Sequence, residues 1–239
     1  MAFRSSATAF SNTGAALTAT PAGVQVNDYL CGVVGTDTSG HADVFPTGWT
    51  ARLSNDMAAP DGHSMDMGDK VAAGGDSFTT GATSDASRWT VGAWSGRDTA
   101  APRTDFDAGQ KNTTTASPAT ISTANATSGA VGTTAIAGDD IAFFSQLDKQ
   151  GAADTWDHSA LSGYTERQDD SDSDWVAISL WSKDNVAGGG EGSLSITATR
   201  TGGAANTGWG TIVVAIKAAG VPPPPVLKRT SLPPHVRMG

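Results

Sequence analysis

Asn27-Asp28-Tyr29-Leu30-Cys31-Gly32-Val33-Val34 is an acid-led apolar run, and Asp139-Asp140-Ile141-Ala142-Phe143-Phe144 repeats its character in the second half of the chain. Two further stretches recur in the same order. Gly48-Trp49-Thr50-Ala51-Arg52 is answered by Gly163-Tyr164-Thr165-Glu166-Arg167. Arg88-Trp89-Thr90-Val91-Gly92-Ala93-Trp94-Ser95, with Arg97-Asp98 behind it, is answered by Asp174-Trp175-Val176-Ala177-Ile178-Ser179-Leu180-Trp181-Ser182, with Lys183-Asp184 behind it. Runs rich in Val, Thr and Trp, broken by Gly, Asn, Asp and Pro, favour strands over helices. A strand pattern laid down twice with no catalytic motif at matching places points to a scaffold.

Working outward, residues 24–34, 50–53, 64–72, 77–80 and 89–94 read as strands, and residues 1–20 as an N-terminal arm or edge strand. Residues 98–117 are polar and read as turn-rich. Strands follow at 121–127, 131–136, 141–147, 175–181, 194–199 and 211–218. Short strands at regular spacing predict an all-β fold, an antiparallel two-sheet sandwich or jelly roll with an internal pseudo-repeat. One domain over residues 21–220 is expected, because each half alone would bury a thin core. Residues 221–239 form a separate Pro-rich tail whose Pro222 to Pro225 cannot join a ladder and favour an extended stem.

Charge narrows the function. The chain carries a net −9, and residues 1–220 carry −12 against +3 on the tail. An acidic surface cannot displace phosphate counterions, which argues against nucleic acid and against anionic membrane surfaces. No apolar run is long enough for a membrane span, and Met1-Ala2-Phe3-Arg4-Ser5-Ser6 has no apolar signal core. Cys31 is single, so no internal disulfide forms, and its apolar run predicts a buried thiol.

Motifs with catalytic overtones have simpler readings. Gly75-Asp76-Ser77-Phe78 has the letters of a hydrolase nucleophile block but lacks its strand context, and reads as a turn. His41, His63, His158 and His235 form no zinc spacing. Asp61-Gly62-His63-Ser64-Met65-Asp66 holds the residue types of a triad, yet neighbours on a strand point to opposite faces. Asp169-Asp170-Ser171-Asp172-Ser173-Asp174 offers alternate carboxylates, and Asp170, Asp172 and Asp174 are a weak calcium candidate beside the reading of a solvated acidic loop. Trp89, Trp94, Trp175 and Trp181 recur within strands and predict core packing, with Trp49 and Tyr164 as packed turn aromatics. Trp156, beside Asp154, Asp157 and His158 in a predicted loop, is the candidate glycan-stacking residue. No cofactor is expected.

The set Gly48-Trp49-Thr50, Lys70-Val71-Ala72-Ala73-Gly74-Gly75-Asp76, Trp89 to Asp98, Gly138-Asp139-Asp140-Ile141, Gly163-Tyr164-Thr165-Glu166-Arg167 and Ile212-Val213-Val214-Ala215-Ile216-Lys217 resembles a β-sandwich module common in tailed-bacteriophage virion proteins. Such modules occur in minor tail, fibre and head-decoration proteins. The resemblance covers residues 22–219 and brings no catalytic residues with it. It implies a non-enzymatic structural protein, assembled in the host cytoplasm and located in the virion. A minor tail or tail-tip component is expected ahead of a capsid decoration protein; a carbohydrate-binding adhesin module for the host surface is the other alternative. Expected partners are other virion proteins of the tail or capsid, copies of itself and a host-surface glycan. The tail supplies docking residues: Val226, Leu227, Leu232 and Val236 as apolar anchors, with Lys228, Arg229 and Arg237 as cations facing an acidic partner.

Overall fold

The computed structural model describes residues 2–38, 44–57, 63–113, 120–122, 133–148, 155–158, 161–169, 176–190, 194, 197–201 and 207–220. No helix is present among them. The first half of the chain forms β1 (Ala2–Ser11), β2 (Tyr29–Thr36), β3 (Thr50–Met57), β4 (His63–Val71) and β5 (Ser87–Ser95). The second half forms β6 (Arg103–Thr113), β7 (Thr120–Ser122), β8 (Thr134–Ala135), β9 (Asp140–Asp148), β10 (Thr155–His158), β11 (Thr165–Gln168), β12 (Val176–Lys183), β13 (Gly189–Gly190), β14 (Thr197–Thr201) and β15 (Thr207–Ile216). All the pairings are antiparallel.

Each half completes its own five-stranded sheet, and the order is the same. The first sheet runs β1-β5-β2-β4-β3, and the second, started from its own first strand, runs β6-β15-β9-β12-β11. Counting only these strands, both are first, fifth, second, fourth, third. The irregularities match as well. The ladder skips Arg4 in β1 and Thr104 in β6, and it skips Arg52 in β3 and Arg167 in β11. Such bulges re-aim one side chain, and here they re-aim the same one in each half.

The turns entering the central strands are also duplicated. The Asp28 carboxylate accepts the Gln25 N–H at 2.8 Å, and the Asp139 carboxylate accepts the Ile136 N–H at 2.9 Å. Asn27 (φ 71°) and Gly138 (φ 92°) hold the left-handed position just before each Asp. Their N–H groups bond Ala72 and Val186, which in turn donate to the Asp28 and Asp139 carbonyls. Each Asp closes a β-turn with its own N–H, on the Gln25 or Ile136 carbonyl, and its carboxylate reaches back to the N–H of that first turn residue, which explains why an acid precedes each apolar run.

A single interior lies between the sheets. Tyr29, Cys31, Val33, Met65, Met67 and Trp94 from one half meet Ala142, Phe144, Ile178, Leu180, Ile212 and Ile216 from the other. Across it β5 approaches β12 and β4 approaches β15, while β1 approaches β11 and β3 approaches β6. Exchanging the halves maps this set onto itself, so the sandwich has an internal pseudo-twofold axis between β2 and β9. Each outer face has its own cover. Leu17, Ala19, Phe78, Phe45 and Trp49 pack over the first sheet, and Ala135, Leu161, Val186 and Leu194 over the second. The all-β two-sheet sandwich follows the sequence pattern, with the core shared so that neither half encloses one by itself.

Two expectations are corrected. The third repeat was paired by its tryptophans, yet β5 matches β15 and β12 matches β4. Trp94 lies between the sheets and has Ile216 as its counterpart. Trp181 lies on the outer face of the second sheet, where the matching position is Gly68. Likewise Lys183 matches Lys70, and Arg97-Asp98 has no counterpart in Lys183-Asp184. Core packing holds for Trp89, Trp94 and Trp181; Trp175 lies outside the described residues. Second, the polar run at 98–117 contains β6, which among the described residues pairs with β15 alone and turns its own Phe106 and Ala108 to the interior. An edge strand needs only one apolar stripe, and Arg103, Asp105 and Asp107 mask it.

Candidate functional site

The Gly-aromatic-Thr-x-Arg motif builds the two flanks of the sandwich. Gly48 (φ 83°) and Gly163 (φ 80°) occupy the position of a tight turn that requires positive φ. Trp49 N–H bonds the Pro46 carbonyl at 3.1 Å and Tyr164 N–H the Leu161 carbonyl at 3.0 Å. The chain then enters the edge strand and bulges at the arginine.

On the flank between β3 and β6, Arg52 Nε donates to Asp69 Oδ1 at 2.7 Å. Arg103, delivered by β6, forms an ion pair with the other oxygen of Asp69 and lies over the Phe106 ring. Tyr29 donates its hydroxyl to Asp69 at 2.9 Å from the core side. One buried carboxylate therefore collects two guanidiniums and a phenol. Burial, with Cys31 and Asp69 nearby, pushes the Tyr29 hydroxyl well above its ordinary value, so it stays a donor. Burial also raises the Cys31 thiol and keeps it protonated, consistent with an inert core residue.

The opposite flank, between β11 and β1, closes differently. Arg167 Nε donates to Ser182 Oγ at 2.7 Å, its terminal nitrogen to Asp184 at 2.9 Å, and its plane covers the Phe3 ring at 4.3 Å. Ser182 occupies the position of Asp69, and Phe3 that of Arg103. One flank is sealed by stacking; the other is held by a shared anion and borders a recess of about 370 Å³.

The seam joining the halves is ionic too. Arg97 and Asp140 pair with both side chains fully buried, and Asn185 N–H donates to the same carboxylate at 2.7 Å. Burial pushes the Asp140 carboxyl above its ordinary value, against those two partners.

The catalytic overtones resolve into structure. Asp76 accepts from the Ala73 and Gly74 N–H groups and pairs with Lys70 at 2.6 Å, so Gly75-Asp76-Ser77-Phe78 is a turn. Ser64 shares a hydrogen bond with Thr36, and His63 and Ser64 are successive residues of β4 that face opposite sides. Among the described residues no three His, Cys, Asp or Glu gather as metal ligands.

Of the residues singled out from sequence, Val226, Leu227, Lys228, Arg229, Leu232, Val236 and Arg237 lie outside the described residues, as do Asp154, Asp170, Asp172 and Asp174. Trp156, Asp157 and His158 belong to strand β10, where a loop was expected, and pair in register with Arg200, Thr199 and Ala198. That strand sits in a three-stranded sheet, β10-β14-β7, formed from connections of the second half. The sequence reading missed Arg103 and Asp69. The retrievable signal was Arg52 itself, a duplicated arginine that needs a partner across the sheet. Neither a family model nor a curated protein matches the chain.

Proposed function

We propose that the chain is a non-enzymatic structural protein of a bacteriophage particle, a minor tail or tail-tip component that docks through residues 221–239. The virion assignment rests on the resemblance of its sandwich motifs. The docking role is supported by the way the chain leaves the sandwich. Lys217 N–H bonds the Pro102 carbonyl at 2.8 Å, Asp98 N–H bonds the Lys217 carbonyl at 3.2 Å, and Ala219 N–H bonds the Gly96 carbonyl at 3.2 Å. Lys217 Nζ also pairs with Asp98 at 2.8 Å. The tail thus departs from a base tied to the linker between the halves. It carries three cations and no acid, on a chain that is otherwise acidic. A stiff proline stem loses less entropy on docking than a flexible one. Repetition of such contacts over many copies turns weak docking into firm assembly.

The test compares incorporation into particles of the full chain and of a chain ending at Gly220. Docking through the tail predicts a folded β protein, by circular dichroism, that stays out of the particle. Normal incorporation of the truncated chain removes the docking role, and absence of the full chain from purified particles removes the virion reading.

A further inference from the structure

We infer that the flank between β3 and β6 is an oxyanion-binding site, taking a carboxylate or phosphate group between the guanidiniums of Arg52 and Arg103. Both border the same recess, with Ala100, Ala101, Pro102, Thr104, Asp105 and Phe106 as its walls. Each meets Asp69 through Nε, and among the described residues the terminal nitrogens of neither make a hydrogen bond. An arginine fixed at Nε presents its remaining N–H groups as a rigid fork, which fits two oxygens of a carboxylate or phosphate. The pseudo-equivalent Arg167 has no such pair of open forks beside it: Asp184 takes one of its terminal nitrogens, and Phe3 stands where a second arginine would be.

The acids near the recess are turned elsewhere. Asp105 accepts the Phe106 and Thr134 N–H groups at 2.9 and 3.0 Å. Asp98 accepts the Ala100 and Ala101 N–H groups and pairs with Lys217. Asp69 neutralises one of the two guanidiniums, and Asp105 adds a further negative charge to the recess lining. Attraction therefore comes from directed N–H donors more than from net charge, which favours an anion that fits the fork over a diffuse ion cloud. Arg52 is the more exposed of the two, with a third of its side chain accessible, and is the entrance.

The test follows the arginine Nε–H resonances of the full chain by NMR while inorganic phosphate, succinate or an aspartate-rich peptide is added. The expected result is a saturable shift at Arg52 and Arg103 with Arg167 unmoved. Arg52→Gln leaves Asp69 its contacts with Arg103 and Tyr29, and weakens binding about tenfold or more, the scale of one charge-assisted bond. Arg52→Lys, which keeps the charge and loses the fork, weakens it as well. Tightest binding of phosphate identifies a phosphoryl ligand. Tightest binding of the peptide identifies acidic side chains of a partner protein. Either supports the site. Linear shifts without saturation, equal shifts at Arg167, or full affinity in Arg52→Lys overturn it.

Discussion

The two halves lay down the same five strands, the same bulges and the same entry turns, yet they settle charge and volume in different ways. Where the first half has Asp69 with Arg103 opposite, the second has Ser182 with Phe3 opposite. Where the first has Gly32 beneath the Trp89 ring, the second has Phe143, and Thr211 stands in place of the tryptophan. Gly68 leaves room for the Phe45 ring, and its counterpart Trp181 fills the matching place from the strand itself. Equivalent positions differ in compensating pairs, because a close-packed interior accepts a missing group only when a neighbour replaces it.

Substitutions at equivalent positions therefore carry unequal costs. Asp69→Ala strands two guanidiniums and costs about 3–5 kcal/mol, as for a broken buried ion pair. Ser182→Ala loses the bond from Arg167 and a long one to Asp184, and costs about 1 kcal/mol. Urea unfolding of both variants measures the difference, and equal costs would break the comparison. Phe143→Ala opens a cavity on the second sheet and costs about 3–5 kcal/mol. At the equivalent position Gly32→Ala drives a methyl into the Trp89 ring and costs about 1–3 kcal/mol from overpacking. Adding Trp89→Thr, the residue found in the second half, relieves that clash, so the double variant shows a favourable coupling term in a double-mutant cycle.

The smallest effect concerns pH. Burial alone would raise the Asp76 carboxyl, but Lys70 and the Ala73 and Gly74 N–H groups outweigh it and hold it below the usual range. A folded value below the unfolded one means the contribution is present above about pH 4 and is lost as pH falls through the folded value. The second half has Gly190 at this position and no such contribution. Asp76→Asn therefore flattens the acid limb of the stability curve by about 0.5 kcal/mol, a solvent-screened amount. An unchanged acid limb would mean that the Lys70 pairing adds nothing to this half.

Much of the fold was legible locally. Apolar runs marked the inner strands β2, β5, β9, β12 and β15, and the Gly-aromatic-Thr-x-Arg motif marked two matching turns. The tryptophan alignment misled because residue likeness is not register: Trp94 and Trp181 belong to different strands of the unit and to opposite faces. β6 was hidden because its exposed alternation is polar. Of the candidate site only Arg52 stood out, since Asp69 and Arg103 meet it through pairings distant in sequence.

The sequence by itself determined that strands would form, where many of them turn, and that a unit occurs twice, because turn chemistry and side-chain alternation act over a few residues. Only the tertiary structure decided which strands correspond, that each unit makes one sheet and shares a core with the other, and that one flank seals while its twin holds two guanidiniums on one carboxylate. Those outcomes depend on which side chains face each other across an interior some ten ångströms thick, about the spacing of stacked sheets, and no local pattern records that.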